Sequence, residues 1–199
     1  RVRVAAIKRG GEIAGAVQVF EPRAPGRKAA PEGGLEGPES LDPLTGLPNH
    51  ALIETRLGER VHEFPVYGVP FGVLLADVDN LKKINRAYGR DAGNSMLRTV
   101  ALALLGGVTE QQLLGRWEED KFLVVIDGCE PATLRRVGER LRALVAKSSI
   151  QWWGSAVQVT VSIGGVIIRQ GEDQQAVIAR AGRQLALARA AGGNTLAVE

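Results

Sequence analysis

Along most of this chain the apolar positions follow one of two periods, and the switches between them predict the elements. From 48 to 64, Leu52, Ile53, Leu57 and Val61 recur at helical spacing, and Asn49 or Thr45 can cap the start of that helix. Phe71-Gly72-Val73-Leu74-Leu75-Ala76 is an unbroken apolar run, which suits a central strand covered on both faces. Residues 81 to about 105 predict a helix pair, or one helix broken around Gly89 and Gly93. Residues 113–117 and 122–126 predict a hairpin, and 131–147 an Arg-rich amphipathic helix. A long strand over 157–168, containing Gly164-Gly165, is followed by a helix over 172–191 that Gly192-Gly193 ends, then a short strand over 195–198. This order predicts an α+β fold, a mixed central sheet with flanking helices.

The N-terminal part differs. Residues 2–7 and 13–20 read as two strands around a Gly turn, an N-terminal hairpin over 1–22. Residues 23–38 are rich in Pro, Gly, Ala and charge, and predict a flexible linker with too little apolar surface to offset its ordering entropy. Residues 39–199 then form the main domain. With 45% apolar and 24% charged residues, the composition is that of a soluble globular protein. No apolar run reaches the roughly 18 residues of a membrane span. The first residues alternate and lack a signal-peptide block, and without an initiator Met the chain is expected to be a piece of a longer protein. Cys129 has no disulfide partner within the chain, which fits a reducing cytoplasm, whether or not the whole protein is anchored to a membrane.

The net charge of +3 and pI near 9.3 raise the question of nucleic acid. The basic residues are scattered over helices and interleaved with acids, as on solvated helix faces, and form no basic stripe with stacking aromatics. No nucleic-acid partner is expected.

Three motifs carry more. They are Asp42-Pro43-Leu44-Thr45-Gly46-Leu47-Pro48-Asn49, Asp77-Val78-Asp79 at a strand end, and Arg116-Trp117-Glu118-Glu119-Asp120-Lys121-Phe122 at the hairpin. Together they resemble the GGDEF family, the domain of diguanylate cyclases, over 39–198. The resemblance implies a palm-like, ferredoxin-like core of the nucleotide-cyclase type. It also implies synthesis of cyclic di-GMP from two GTP molecules held by facing domains, with Mg²⁺ on oxygen ligands. Carried over by position, Asp77, the Val78 carbonyl and Asp120 are the metal ligands. Asn85 and Asn94 face guanine, and Lys82 and Arg189 face the phosphates. Asp79 is expected to turn to the other side of the strand and cap the next helix. The N-terminal hairpin resembles the last two strands of a PAS sensor domain, and an N-terminal arm packing on the main domain is the alternative.

The departures from the family pattern are chemical. Glu118 and Glu119 stand where the family has two glycines, which removes freedom at the turn and brings two carboxylates towards a triphosphate. At an effective dielectric of about 20, unit charges ~4 Å apart repel by about 4 kcal/mol. Lys121 replaces the catalytic fourth-position Glu, and an ammonium can neither bind Mg²⁺ nor take a proton. Asn94 replaces Asp, and Gly193 replaces a phosphate-binding Arg. The inhibitory Arg-x-x-Asp segment reads Thr109-Glu110-Gln111-Gln112. His50 and His62 are expected on the surface, and Trp152-Trp153 in a loop as a packing cluster. The expected function is a degenerate GGDEF domain of a cyclic di-GMP signalling protein, catalytically inactive and acting as a regulatory or dimerisation module. GTP binding is then weak or absent, and Mg²⁺ is bound only if nucleotide is. The expected neighbours are a PAS domain upstream, a cyclic di-GMP phosphodiesterase domain downstream, and a second copy in a homodimer. The alternative is an active or residually active diguanylate cyclase.

Overall fold

The computed structural model describes residues 38–199, together with the backbone of two N-terminal strands at residues 2–9 and 12–20. Those strands, β1 (Val2–Arg9) and β2 (Glu12–Phe20), pair antiparallel as a hairpin of their own. The expected linker over 23–38 lies outside the described residues except for Pro38, which opens a short 3₁₀ turn (Pro38–Ser40).

The main sheet is built on β3 (Phe71–Val78), every residue of which is buried. It lies between β5 (Lys121–Asp127) and β8 (Val161–Ile167), antiparallel to both. Outside them run β4 (Gln112–Arg116), antiparallel to β5, and β9 (Leu196–Val198), parallel to β8, giving the order β4-β5-β3-β8-β9. The fold is therefore the mixed, helix-flanked sheet expected from the alternation of periods.

Strand alternation divides the interior in two. Leu74, Ala76, Phe122, Val124 and Ile163 face α3 (Arg90–Gly107) and α4 (Pro131–Ala146), where Met96, Val100, Leu104, Leu134 and Leu141 are buried. Val73, Leu75, Leu123, Val125 and Val166 face α1 (His50–Tyr67) and α5 (Gln174–Ala190), which contribute Ile53, Leu57, Val177, Ala181 and Leu185. At Gly164 the backbone of α5 comes so close that a Cβ would lie 2.2 Å from both Ala181 O and Leu185 N. Only glycine permits that approach.

Local signals explain the boundaries. Asn49 caps α1, its side chain accepting from Leu52 N at 3.0 Å. The expected break in the helical stretch falls at Gly89 alone (φ 86), separating α2 (Leu81–Tyr88) from α3, and Gly93 lies inside α3. Two expectations fail. The long strand over 157–168 is interrupted at Val159-Thr160, and its first part is β7 (Ser155–Gln158), paired with β6 (Ser149–Trp152) in a separate small hairpin. The two tryptophans are not one packing cluster in a loop. Trp152 is buried at the end of β6, whereas Trp153 turns the chain at φ 51 and is 64% exposed.

Candidate functional site

The candidate residues converge where β3 ends beside the β4–β5 turn. Asp77 stands in register opposite Lys121 on β5 and opposite Ser162 on β8. The turn closes through Trp117 N to Lys121 O at 2.9 Å and Glu118 N to Lys121 O at 3.3 Å. Its residues all keep negative φ, so the chain closes the turn without the glycine conformations that the family motif allows. Val78 N donates to Asp120 O at 3.0 Å, which fixes the turn against the end of β3.

Electrostatically the site is a set of opposed charges. Asp77 is buried, its side chain 3% exposed, and its Oδ2 accepts from Arg189 Nη1 of α5 at 3.0 Å. Burial, and next the Asp120 carboxylate, push the Asp77 carboxyl up to about 6, against the pull of Arg189 and Lys121. Lys121 forms an ion pair with Glu118. That hydrogen bond, with the fields of Glu118, Asp120 and Asp77, raises its ammonium above the usual lysine value despite some burial.

Asp79 does not cap a helix. Its carboxylate accepts from Thr160 Oγ1 at 2.6 Å, Ser162 Oγ at 2.7 Å and Asn194 N at 2.9 Å. Three convergent donors, from Thr160 just before β8, Ser162 on β8 and the turn before β9, outcompete a single capping bond, and α2 starts instead after Asn80 at φ 59 without a side-chain cap. The same contact fills the space at Gly193 (φ 78), where a Cβ would meet the Asp79 carboxylate at 3.3 Å.

The other candidates lie at the notch between α2 and α3. Asn85 Oδ1 is buried without a hydrogen-bond partner and occupies the space that a Cβ on Gly93 would need, 1.8 Å away. Asn94 follows Gly93 and is half-buried, and Lys82 is exposed on α2. Thr109 and Gln112 close on each other, with Gln112 N donating to Thr109 O at 3.0 Å and Thr109 N to Gln112 Oε1 at 3.2 Å.

The residues that hold the turn were not singled out by sequence reasoning. Arg116 Nη1 donates to both oxygens of Asp42 at 3.0 Å, and its Nη2 donates to Glu119 O at 2.7 Å. His50, exposed as expected, sends Nδ1 to Trp117 O at 2.6 Å, with its ring 4.3 Å from that of Trp117. The Asp42 and Arg116 motif positions were the available signal. Beside the turn, a shallow groove of about 530 Å³ is floored by Leu75, Trp117 and Leu185 and rimmed by Glu118, Lys121 and Arg189.

The donor set does not fit Mg²⁺. The ion needs an oxygen shell dominated by carboxylates, carbonyls and water. Here one oxygen of Asp77 already receives a guanidinium, and the residue in register opposite is a lysine whose positive charge acts on Asp77. Among the described residues, no group of three or more His, Cys, Asp or Glu side chains is placed to hold a metal ion. No helix among them is long and apolar enough to cross a membrane.

Known proteins place this arrangement. The diguanylate cyclase DgcP of Pseudomonas aeruginosa is 31% identical over 157 residues, spanning 79% of this chain and 23% of DgcP. The response regulator PleD of Caulobacter vibrioides is 32% identical over 158 residues, 78% of this chain and 35% of PleD. The chain thus spans about a quarter to a third of these curated relatives. The crystal structure of the diguanylate cyclase SiaD in complex with its activator SiaC, from P. aeruginosa, superposes with a TM-score of 0.78 at 30% identity, covering 80% of this chain and 61% of SiaD. The GGDEF domain of YfiN from the same organism gives 0.73 at 26% identity, covering 79% and 93%. Residues 39–195 match the family described as diguanylate cyclase, GGDEF domain, and the chain belongs to that family.

Proposed function

We propose that this domain is a catalytically inactive member of its family, acting as a regulatory or dimerisation module of a cyclic di-GMP signalling protein. One observation carries the reading. The hairpin position expected to hold a catalytic carboxylate holds Lys121, which stands opposite Asp77 and is paired with Glu118. Phosphoryl transfer between two nucleotides depends on positioning and on neutralising charge by metal. An ammonium at that position provides neither a ligand nor a base. Glu118 and Glu119 add negative charge where a triphosphate would lie, so GTP binds weakly or not at all.

Regulation through neighbours follows from the same reading. The relative MucR of P. aeruginosa is a bifunctional diguanylate cyclase and cyclic di-GMP phosphodiesterase. We assign this domain a similar setting, with a sensor of PAS type upstream, a phosphodiesterase domain downstream, and self-association through the domain. The inhibitory segment is closed on itself through Thr109 and Gln112 and offers no arginine to cyclic di-GMP.

A residually active cyclase is the second reading, favoured by the retention of Asp77 and Asp120 side by side. Incubation of the domain with GTP and Mg²⁺, with chromatographic detection of cyclic di-GMP, separates the two. No product is expected. Turnover of about 1 per minute, abolished by Asp77→Ala, would establish the second reading and end the first.

A further inference from the structure

We infer that this site excludes divalent cations because two of its own side chains, Arg189 and Lys121, place positive charge beside Asp77 where a dication would sit. The inference deepens the proposed function and rests on the same residues. Asp77, Asp120 and Glu118 contribute three negative charges, and Arg189 and Lys121 place two positive ones among them before any ion arrives. The two cations act differently. Arg189 is bound directly, Nη1 to Asp77 Oδ2 at 3.0 Å, but its side chain is 58% exposed and could swing away. Lys121 is less free, because its backbone is fixed on β5 in register with Asp77 and its ammonium is paired with Glu118. An incoming dication would displace the guanidinium and still face an ammonium.

Manganese is the appropriate probe, since it shares the preference of Mg²⁺ for oxygen ligands and free Mn²⁺ is counted directly by its electron paramagnetic resonance signal. The unmodified chain is expected to show no saturable binding below about 1 mM. Lys121→Glu combined with Arg189→Ala removes both cations and adds a carboxylate. It is expected to bind Mn²⁺ at least tenfold more tightly, and the gain should vanish when Asp77→Ala is added. If the double variant does not fold, as judged by circular dichroism, each single substitution is titrated instead, and each should show a smaller gain.

Saturable binding by the unmodified chain that Asp77→Ala abolishes would overturn the inference, as would variants that bind no more tightly than the parent. Failure here and failure of the proposed function are distinguishable. A parent that binds Mn²⁺ yet makes no cyclic di-GMP refutes metal exclusion alone. A parent that makes cyclic di-GMP refutes the inactive assignment, whatever its Mn²⁺ titration shows.

Discussion

Asp42 and Arg116, separated by 74 residues, are joined by one guanidinium nitrogen shared between both carboxylate oxygens at 3.0 Å. The pair ties the segment before α1 to the β4–β5 turn, and Arg116 continues to the Glu119 carbonyl. Burial pushes the Asp42 carboxyl up, but hydrogen bonds from the Thr45 side chain and backbone, then Arg116, overcome it and hold the group below the usual carboxylate value. Both side chains are mostly buried, so the pair is worth more than an exposed one. A double-mutant cycle of Asp42→Asn and Arg116→Lys in urea is expected to give a coupling of about 1–3 kcal/mol, whereas a value near zero would mean the pair does not hold the turn.

Gly164→Ala should be among the most damaging single changes. Its Cβ would collide with backbone of α5, which cannot yield without moving the helix off the sheet. A loss of about 3 kcal/mol is expected in chemical denaturation. Gly182→Ala, on the same helix with nothing within 4 Å, should instead gain about 0.5–1 kcal/mol through helix propensity.

Asp77 predicts a pH dependence of definite sign. Its carboxyl lies near 6 in the fold and at 3.8 when unperturbed, so the folded state favours the protonated form. That contribution is fully present below pH 3.8 and is lost as the pH rises through about 6. Asp77→Asn should remove this decline and be more stable than the parent at pH 7 by on the order of 2 kcal/mol, less the lost Arg189 pair. Asp42, shifted downward, acts in the opposite sense and only below its ordinary value of 3.8, so the two windows do not overlap. Urea midpoints measured from pH 4 to pH 8 test this, and parallel profiles for parent and variant would contradict it.

Repair of the hairpin should restore nucleotide binding before activity. Glu118→Gly, Glu119→Gly and Lys121→Glu together remove two crowding carboxylates and the ammonium. Measurable binding of Mg²⁺ with GTP is expected by calorimetry, with weak cyclase activity at most, because Asn94 and Gly193 still depart from the family. Adding Asn94→Asp should raise activity. Gly193→Arg, however, forces a side chain onto φ 78 with its Cβ 3.3 Å from the Asp79 carboxylate, and should cost stability in proportion. A triple variant that binds GTP no better than the parent would show that the hairpin is not what weakened the substrate.

The parts of the fold carried by local periodicity were legible in the sequence. The apolar run 71–76 read as a central strand, and Asn49 marked the start of α1. The β6–β7 hairpin was not legible because Val157 and Val159 continue the alternation of β8, so the interruption at Val159-Thr160 leaves no break in the pattern. Trp153-Gly154, both at positive φ, was the one turn signal, and tryptophan is an unusual residue there. At the site, it was the family resemblance carried by the three motifs that implied Asp77, Asp120 and Lys121 lie together. The Arg189–Asp77 pair joins positions 112 residues apart and depends on how α5 lies across the sheet. Asp79 was misjudged because its three donors, at Thr160 and Ser162 around the start of β8 and at Asn194 in the turn before β9, are invisible in its local sequence.

Helix α2 has only Leu81 and Ile84 buried, and it lies between Asn80 and Gly89, both at positive φ. Eight residues are too few for a helix to persist on its own propensity. Its amide protons should therefore exchange with solvent through local opening well before those of β3, with a free energy far below that of global unfolding. Because Lys82 and Asn85 sit on this helix, whatever docks there must first stop it from fraying, and part of its affinity is spent on that ordering.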